Sequence, residues 1–462
     1  MIQKERIKIL NQKPLAKGAY VLYWMQAAQR TEYNHALEYA IIQANELRQP
    51  LIVFFGITDR FPEANERHYF FMMEGLREVK QDLQERNMQM VIWLKSPEEG
   101  AIKMAQKATL VVVDRGYLRI QRGWRDKVAS HIGCPLIQVE GEVIIPVEEA
   151  SPKEEYSAAT LRPKIKKKLS HFLTSLQQRN PVFSSLSMEF SSFDIMDLEK
   201  AISKLNIDRR VKKAPYFQGG TKEAKKHLQI FLEKKLDHFG QLRNDPTVDY
   251  LSHLSPYLHF GQISPLYIAL KVLERDSLGK ESFLEELIIR RELSRNFVFY
   301  NPQYDSFGGL PEWAKKTLKE HQKDRRPYLY ALEDLEAAQT HDIYWNAAQK
   351  EMMLTGKMHG YMRMYWGKKI MEWSKSPEDA FRHTLYLNNK YEIDGRDPNG
   401  FAGVAWCFGK HDRPWEERPI FGKVRFMNEK GLERKFAIKK YVEKIMKVEE
   451  AQKELFKELT DN

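Results

Sequence analysis

The chain has 462 residues, which is enough for two or three domains of ordinary size. Its hydrophobic content of 42% and charged content of 30% exclude an intrinsically disordered chain. No apolar run reaches the ~18 residues of a membrane-spanning helix, and the charged N-terminus lacks a signal-peptide core. Two cysteines in unrelated contexts, Cys134 and Cys407, exclude a disulfide framework and a zinc site. We therefore expect a cytoplasmic protein.

Charge and aromatic content raise the question of a partner. The 74 Lys and Arg residues against 63 Asp and Glu give a net charge of +11, which suggests a polyanion. Six of the nine tryptophans lie between Trp313 and Trp415. Basic charge is often only a solubility feature and Trp usually fills a core. The positive charge and the tryptophan cluster together raise two questions: whether the protein binds a nucleic acid, and whether the tryptophans pack against a flat ligand.

The first 145 residues alternate between short apolar runs and segments of helical periodicity. Such alternation predicts a doubly wound parallel sheet covered on both faces, a Rossmann-like α/β domain over residues 1–147. The predicted strands are Tyr20–Trp24, Leu51–Phe55, Met90–Leu94, Leu110–Val113 and Leu136–Val139. The predicted helices are Asn34–Leu47, His68–Glu85, Pro97–Gln106 and Arg119–Ser130.

After residue 147 the sequence no longer alternates between apolar runs and helical segments. Residues 148–215 include the basic run Arg162–Lys168 and are predicted to be a long interdomain linker. Residues 216–462 are predicted to form an all-helical domain, because helical periodicity dominates from Thr221 onward. Within it, Asn301–Leu310 and Lys390–Ala402 carry the Gly, Pro and Asn of ordered loops.

The usual phosphate-binding fingerprints are missing. The first predicted strand continues into Met25–Gln29 rather than a G-x-G-x-x-G turn, and no G-x-x-x-x-G-K-[ST] loop occurs. A nucleotide cofactor, if one binds, is therefore held in another way, and the helical domain is the better place to look for it.

Two polar segments of the helical domain have the groups that a ligand site needs. Residues 243–265 combine Arg243 with Ser-Pro and Gly turns that open helices, which offers backbone N–H groups and hydroxyls to a pyrophosphate. Simple helix capping explains the same pattern. In Phe283–Phe297, charged residues recur at helical spacing, among them Glu286 and Arg290. Surface ion pairs are the alternative explanation for these charges.

Two further segments combine tryptophans with charges. Trp366 and Trp373 are seven residues apart and therefore share a helix face. Arg363 lies about one turn before Trp366. A buried Arg363 needs a carboxylate, and Asp394 or Asp397 in the segment 388–415 offers one.

These segments resemble the class II cyclobutane pyrimidine dimer photolyases of the photolyase/cryptochrome family. The signature F-x-E-E-x-[LIVM]-[LIVM]-R-R-E-L-x-x-N-F is met at every defined position by Phe283–Phe297, and a second signature is met by Gly409–Asn428. The block Ser252–Gly261, the opening Tyr23–Met25 and the linker run Leu161–Ile165 agree as well. The resemblance extends from about Tyr20 to Tyr441.

The resemblance implies a light-driven carbon–carbon lyase that repairs DNA. Family members hold FAD in the helical domain, and photoexcited reduced FAD donates an electron to a dimer flipped out of the helix. It also implies UV-damaged DNA as the partner, a nucleoid association if the source is prokaryotic, and no protein partner, hence a monomer. A second, antenna chromophore in or beside the α/β domain is a deazaflavin, a folate, another flavin or absent.

Site roles follow from the resemblance, position by position. In the family pattern, Glu286 forms a hydrogen bond with a dimer carbonyl and Asn388 faces flavin N5. Arg363 and Asp394 form a buried pair beside the flavin. The remaining FAD-contacting positions are Arg243, Ser252, Leu254, Ser255 and Asp397. The electron-transfer tryptophans are Trp366, Trp345 and Trp373. The residues expected at the lesion or at DNA phosphates are Arg290, Met364, Trp406, Arg396, Lys410, Arg413 and Arg425.

Two other functions remain open on the sequence. A cryptochrome-like light sensor has the same fold and FAD without repair, but it need not retain the lesion-pocket residues Glu286, Asn388 and Trp406. A basic DNA-binding module without a cofactor is the second alternative, and a coloured purified protein would exclude it. A specialist for 6-4 photoproducts is disfavoured because that group lacks these signatures.

Overall fold

The N-terminal half of the protein is a six-stranded sheet with helices on both faces. The structure is a computed structural model that describes residues 2–460, and side chains as far as residue 454. The sheet order is β1-β6-β5-β2-β3-β4, with β2 to β6 parallel and β1 antiparallel to β6. The strands are β1 Ile7–Ile9, β2 Tyr20–Trp24, β3 Leu51–Ile57, β4 Gln89–Leu94, β5 Ala108–Asp114 and β6 Leu136–Val139. The predicted doubly wound sheet is confirmed.

Burial explains why the five parallel strands were predictable and β1 was not. Every residue of β2 is buried, and alternate residues join two different cores: Val21 and Tyr23 pack on one face, Leu22 and Trp24 on the other. Strand β1 has only three residues, all partly or fully exposed, so it has no apolar run to recognise. The helices against this sheet are α1 His35–Glu46, α2 Glu66–Glu85, α3 Pro97–Ala105 and α4 Arg119–His131.

The predicted linker contains helices and protects an edge of the sheet. Its helices are α5 Val147–Ala150, α6 Ala158–Phe172 and α7 Leu198–Ser203, and the basic run lies in α6. Downstream of α6 the hydroxyls of Ser185 and Ser192 accept hydrogen bonds from the β4 backbone, 2.8 and 3.0 Å long. This covers the otherwise free edge of β4. The domain limits 1–147, 148–215 and 216–462 stay predictions.

Helices dominate the C-terminal half, as predicted. They are α8 Thr221–Lys234, α9 Leu236–Leu242, α10 Ser255–His259, α11 Pro265–Leu273, α12 Lys280–Leu284, α13 Arg291–Tyr300, α14 Glu312–Glu320, α15 Leu332–Glu336, α16 Ile343–Thr355, α17 Gly360–Trp373, α18 Pro377–Tyr391, α19 Pro398–Cys407, α20 Glu429–Lys435 and α21 Lys439–Thr460. A π-helical turn, Glu285–Arg290, joins α12 to α13. Among the described residues, no helix is both long and apolar enough to span a bilayer.

The predicted loop Lys390–Ala402 is partly wrong. Helix α19 begins at Pro398 within it, and the Asp397 carboxylate accepts a 2.7 Å hydrogen bond from the backbone N–H of Asn399. Proline is favoured at the first position of a helix, where its missing N–H costs nothing. The Pro-Asn-Gly sequence therefore marks a helix start rather than a loop.

Asp114 explains why the α/β half lacks a phosphate-binding loop. Its carboxylate, at the end of β5, accepts hydrogen bonds of 2.9, 2.8 and 3.2 Å from the backbone N–H groups of Gln26, Ala27 and Ala28. The Tyr23 hydroxyl donates a fourth, 2.9 Å long. In a dinucleotide-binding fold, the backbone N–H groups that follow the first parallel strand, here β2, face a phosphate. Here the protein's own carboxylate satisfies them.

Buried side chains of the α/β half bind the backbone of the helical half. Arg67 of α2 is 4% exposed and donates to the carbonyl oxygens of Met352 and Tyr391, at 3.1 and 2.7 Å. Asn65 donates to the carbonyl of Lys390 at 2.7 Å. Because the ends of α16 and α18 supply these carbonyls, the sheet fixes the segment that follows α18.

Replacing Asp114 with alanine tests the role of this carboxylate. Three buried N–H groups would lose a charged acceptor, so we expect the free energy of unfolding to fall by about 2–4 kcal/mol. Urea denaturation followed by circular dichroism measures the change. The exposed Asp126→Ala variant of α4 is the control and should stay within about 0.5 kcal/mol of the parent. Equal stability of both variants would contradict this role.

Candidate active site

The segment between α18 and α19 concentrates buried charge. Glu392, Asp394, Arg396 and Asp397 are all less than 9% exposed. The three carboxylates each lie near a cationic side chain from outside the segment, as a buried charge requires, and Arg396 contacts His68. The segment is therefore a fixed structural junction, and the groups that it leaves unmatched are candidates for ligand contacts.

Arg363 lies between two carboxylates of this segment. Its Nη2 atom is 3.0 Å from Glu392 Oε1 and 3.8 Å from Asp394 Oδ1. The predicted partner Asp394 is thus nearby, but the closer partner is Glu392. Asp397 does not supply this carboxylate, since it binds Arg295 at 3.2 Å and His259 at 3.3 Å.

Several atoms of this cluster have no partner within the described part of the chain. Arg363 Nε, Glu392 Oε2 and Asp394 Oδ1 are buried without a hydrogen bond. Buried polar atoms are nearly always hydrogen-bonded in folded proteins. One donor and two acceptors left free at one place fit a polar ligand that both accepts and donates hydrogen bonds.

The pKa values of Glu392 and Asp394 are shifted in opposite directions. Burial raises the pKa of Glu392 to about 8, since the charged form loses its solvation. Burial acts on Asp394 as well, but the charges of Arg363 and Lys357 outweigh it and lower the pKa of that carboxyl. At neutral pH, Asp394 is therefore the anionic group and Glu392 is able to hold a proton.

The Ser-Pro turn meets this cluster at the start of α10. Lys357 Nζ donates to Ser255 Oγ and lies 4.0 Å from Asp394 Oδ2. Leu254 is 1% exposed, and its backbone N–H is 3.5 Å from Ser252 Oγ. Lys357 thus links Ser255, one of the predicted cofactor residues, to Asp394, and Ser252 and Leu254 belong to the turn that precedes Ser255.

Asn388 occupies the last turn of α18, one helical turn before Glu392. Its side chain is 1% exposed, and Nδ2 donates to Asn389 Oδ1 at 3.2 Å. The Glu392 backbone N–H donates to the Asn388 carbonyl at 3.0 Å, so the amide and the charge cluster are parts of one rigid turn.

Glu286 lies on the π-helical turn and pairs with Arg243. The Arg243 Nη1 and Glu286 Oε1 atoms are 2.6 Å apart, and the two side chains are 31% and 37% exposed. The predicted cofactor contact and the predicted lesion contact are therefore direct neighbours. A π-turn widens a helix locally and is frequent at functional sites, because it shifts side chains out of α-helical register.

Arg290, Met364 and Trp406 belong to neighbouring elements. The Arg290 guanidinium lies over the Trp406 ring, 5.2 Å from its centroid, and both are only partly buried. Met364 Sδ is 3.8 Å from Cys407 Sγ, which follows Trp406. The stacked Arg290–Trp406 pair presents a flat, partly solvated surface suited to a nucleobase.

Three buried tryptophans form a continuous row. The Trp366 and Trp345 rings are stacked with centroids 6.3 Å apart, and Trp345 meets Trp373 edge-on at 5.6 Å. Trp345, on α16, lies between the two tryptophans of α17, which the seven-residue spacing could not reveal. Trp366 Nε1 donates to Gln349 Oε1 at 2.9 Å, and Trp345 Nε1 donates to the Trp366 carbonyl at 3.0 Å.

Two of the four predicted phosphate-contacting cations are buried, and those predictions are wrong. Arg396 is 4% exposed, has a left-handed φ of 65°, and contacts His68 Nε2 and the Asn389 carbonyl. Lys410 pairs with Glu154 and lies over the Phe297 ring. Arg413 and Arg425 are exposed, as expected of phosphate contacts.

A cavity of about 120 Å³ lies where the carboxyl ends of β2 and β3 face the helical half. It has aromatic walls from Phe55, Phe61 and Trp124, and His68 and Arg396 contribute polar atoms. A hollow of about 480 Å³ shares Ile57, Thr58 and Trp124 with it. Crevices at the carboxyl ends of parallel strands are common ligand sites.

Sequence reasoning missed two members of the charge cluster, Lys357 and Glu392. Both lie inside the polar segments that the sequence singled out. Glu392 lies in the charged run Lys390–Asp397, so its charge did not set it apart from its neighbours in the sequence.

Comparisons with known proteins agree with this arrangement. A family model described as DNA photolyase matches residues 21–182. The chain is 55% identical to the deoxyribodipyrimidine photo-lyase of Methanothermobacter thermautotrophicus, over 96% of this chain and 99% of that protein. It is 39% identical to that of Potorous tridactylus, over 96% of this chain and 84% of the relative.

A solved structure shares the whole fold at low identity. The class III photolyase of Agrobacterium tumefaciens superposes with a TM-score of 0.72 at 17% identity, over 93% of this chain and 87% of that one. The extended match to the two relatives above shows that the chain belongs to the DNA photolyase family.

Proposed function

We propose that this protein is a light-driven DNA lyase that splits cyclobutane pyrimidine dimers, with FAD as its cofactor. The observation that carries the proposal is the buried cluster of Arg363, Asp394 and Glu392, which has free hydrogen-bonding atoms. Arg363 lies on α17 one turn before Trp366, a member of the stacked tryptophan row. The family membership supports the same activity, since the relatives are named deoxyribodipyrimidine photo-lyases.

The residues present fit a flavin dinucleotide. The free Arg363 Nε and Asp394 Oδ1 atoms match the polar edge of an isoalloxazine ring, which offers both acceptors and a donor. Arg243 and the Ser252–Ser255 turn offer a cation and hydroxyls to the pyrophosphate. When bound in reduced form, FAD supplies the absorption of light and the transferred electron.

The chain's own residues then position the substrate and control charge. Arg363 keeps a positive charge beside the ring, because burial is outweighed by Glu392 and Asp394 and the pKa of the guanidinium is raised. Glu286, when protonated, donates a hydrogen bond from its carboxyl group to a dimer carbonyl. The Arg290–Trp406 pair packs against the extruded bases. Arg413 and Arg425 contact phosphates without reading sequence.

The tryptophan row provides the route by which an oxidised flavin is reduced. Trp366, Trp345 and Trp373 are in ring contact, so an electron can pass between them in short steps. Trp373 is next to Tyr330 and His341, at ring-centroid distances of 5.4 and 5.2 Å, and His341 is exposed. The row thus runs from the charge cluster toward the surface.

We propose the cavity at the carboxyl ends of β2 and β3 as the site for an antenna chromophore. Alone, 120 Å³ is smaller than a typical ligand pocket of roughly 300 Å³ or more, but the adjoining hollow provides the remaining space. The aromatic walls of the cavity suit a flat ring system, and the alternatives are still a deazaflavin, a folate, another flavin or no antenna. A monomeric state and a cytoplasmic, nucleoid-associated location stay predictions from the sequence.

Illumination of the flavin-loaded, chemically reduced protein with a thymine-dimer oligonucleotide tests the function. We expect light-dependent recovery of intact thymines, measured by chromatography, and no recovery in the dark. Light-stable dimers in the presence of a loaded, reduced protein would contradict the proposal and would leave the light-sensing alternative.

Glu286→Ala is predicted to slow repair by about 10-fold to 100-fold while FAD stays bound, because one hydrogen bond to the reacting dimer is removed. Repair under saturating light measures the effect, and the flavin absorption measures occupancy. The exposed Glu281→Ala variant of α12 is the matched control. Loss of flavin from Glu286→Ala would mean that the residue serves the cofactor instead.

Trp366→Phe is predicted to block light-driven reduction of oxidised FAD and to spare repair by the chemically reduced protein. Phenylalanine keeps the packing but is much harder to oxidise than tryptophan. Bleaching of the oxidised flavin band under blue light measures this step. Trp93→Phe, in the α/β half, is the control; photoreduction at the parent rate in Trp366→Phe would remove this residue from the route.

Glu392→Gln is predicted to change how stability depends on pH. The folded carboxyl, with its pKa raised to about 8, stays protonated where the unfolded one, near 4.5, is ionised. The parent therefore loses stability as pH rises from 5 to 8, by up to about 1.4 kcal/mol per pH unit relative to the glutamine variant. Urea denaturation across this range measures the difference. The exposed Glu189→Gln variant is the control, and parallel curves for parent and Glu392→Gln would contradict the assignment.

A further inference from the structure

One buried lysine lies between the helix that contains Arg363 and the helix that presents Trp406. Lys368 is on α17, two residues after Trp366, and its side chain is 0% exposed. Its Nζ atom donates a hydrogen bond to the main-chain carbonyl of Cys407, the last residue of α19. Neither the charge cluster nor the tryptophan row accounts for this cation.

Lys368 differs from the other buried lysines among the described residues. The others each pair with a glutamate: Lys369 with Glu372, Lys390 with Glu336 and Lys410 with Glu154. Within the described part of the chain, Lys368 has no carboxylate at ion-pair distance, and its hydrogen-bond acceptor is a carbonyl. Burial lowers the pKa of this ammonium to about 8, because the charged form loses its solvation. An apolar residue would fill the same space without this penalty, so the contact with Cys407 needs an explanation of its own.

The end of α19 has carbonyl groups that need donors from outside the helix. The Trp406 carbonyl accepts a 3.1 Å hydrogen bond from the backbone N–H of Gly409. The next carbonyl, that of Cys407, accepts from the Lys368 ammonium instead. A cation at this position also lies at the negative end of the helix dipole. Lys368 therefore holds the helical turn that contains Trp406.

Helices α17 and α19 approach each other closely at this contact. A Cβ atom on Gly367 would lie 2.7 Å from Cys407 Sγ, so a larger residue does not fit there without a shift. Cys407 Sγ is also 4.0 Å from the Arg363 carbonyl oxygen. Closely packed elements have few alternative arrangements. Gly367, Lys368 and Cys407 thus form a joint with one defined geometry between the two helices.

The joint connects the flavin side of the proposed site to its lesion side. Helix α17 contributes Arg363 to the charge cluster, and α19 contributes Trp406, which is expected to pack against the dimer. Trp406 is only partly buried, so packing around its ring fixes it incompletely. A shift of α19 against α17 would move this ring relative to the flavin, and small displacements of a positioning group are enough to weaken recognition.

We propose that Lys368 is a positioning residue for dimer recognition, which holds the last turn of α19, and with it Trp406, in place through the Cys407 carbonyl. The inference rests on the proposed function. It gives Lys368 no contact with flavin or DNA, so its effect on DNA binding must pass through Trp406. The competing interpretation is a general contribution to the stability of the fold, which would not depend on Trp406.

The test replaces Lys368 with methionine, which has a similar length and no hydrogen-bond donor. Loss of the hydrogen bond and removal of a buried charge oppose each other, so the midpoint of thermal unfolding should shift by less than about 3 °C. Fluorescence anisotropy in the dark measures the dissociation constants for a thymine-dimer duplex and for an undamaged duplex of the same sequence. Flavin absorption measures cofactor occupancy. Lys369→Met, at the adjacent buried lysine of α17, is the matched control.

We expect Lys368→Met to bind the dimer duplex about 5-fold to 20-fold more weakly, because a charge-assisted hydrogen bond at the joint is lost. Affinity for the undamaged duplex and flavin occupancy should stay within about twofold of the parent. In a Trp406→Ala background, the same substitution should change dimer affinity less than about twofold, since the ring that it positions is absent. Lys369→Met should match the parent with both DNAs.

Lys368→Gln is the second variant, because its amide keeps an uncharged donor for the Cys407 carbonyl. It should weaken dimer binding by about twofold to fourfold, again only when Trp406 is present. This result decides the question if Lys368→Met does not fold.

Three results would overturn the proposal: parent-like dimer affinity in the Lys368 variants, an equal loss on undamaged DNA, or an equal loss in the Trp406→Ala background. Failure of the proposed function is a distinct result, since the parent itself would then not prefer dimer-containing over undamaged DNA.

Discussion

The cost of burying charge governs the architecture of this protein. Between α18 and α19 four charged residues lie under the surface, and each needs a partner that only the folded chain can bring to it. Glu392 binds Arg363 of α17, Asp397 binds Arg295 of α13, and Arg396 contacts His68 of α2. One short segment thereby ties three helices together, and the place where pairing stays incomplete is the place where a cofactor fits.

The two halves use opposite solutions at their potential nucleotide sites. In the α/β half, the Asp114 carboxylate accepts hydrogen bonds from the N–H groups after β2. It thereby takes the position that the phosphate of a dinucleotide would occupy. In the helical half, Arg363, Asp394 and Glu392 keep unmatched atoms. Arg67 and Asn65 of the α/β half hold the end of α18, and the crevice above β2 and β3 is the site that we propose for a second chromophore.

Much of this arrangement could be predicted from the amino-acid sequence, because short apolar strands and long motifs are local signals. The parallel strands and the shared helix face of Trp366 and Trp373 follow from periodicity, and the roles proposed for Glu286 and Asn388 rest on motif resemblance. Contacts between distant segments could not be predicted in this way. Trp345 comes between Trp366 and Trp373 only through helix packing. The burial of Arg396 involves a contact with His68 of α2, which is far away in the sequence. Glu392 displaces Asp394 as the nearest partner of Arg363 only in three dimensions.

The central claim is that the unmatched atoms of Arg363 and Asp394 belong to a flavin site. The absorption spectrum of the purified protein, before and after incubation with FAD and removal of excess, tests it most directly. We expect flavin bands with resolved vibrational structure, as a ring in a dry, ordered site gives, and their loss in Asp394→Ala. A folded parent protein that retains no flavin after loading, or an Asp394→Ala variant that retains it fully, would contradict the claim.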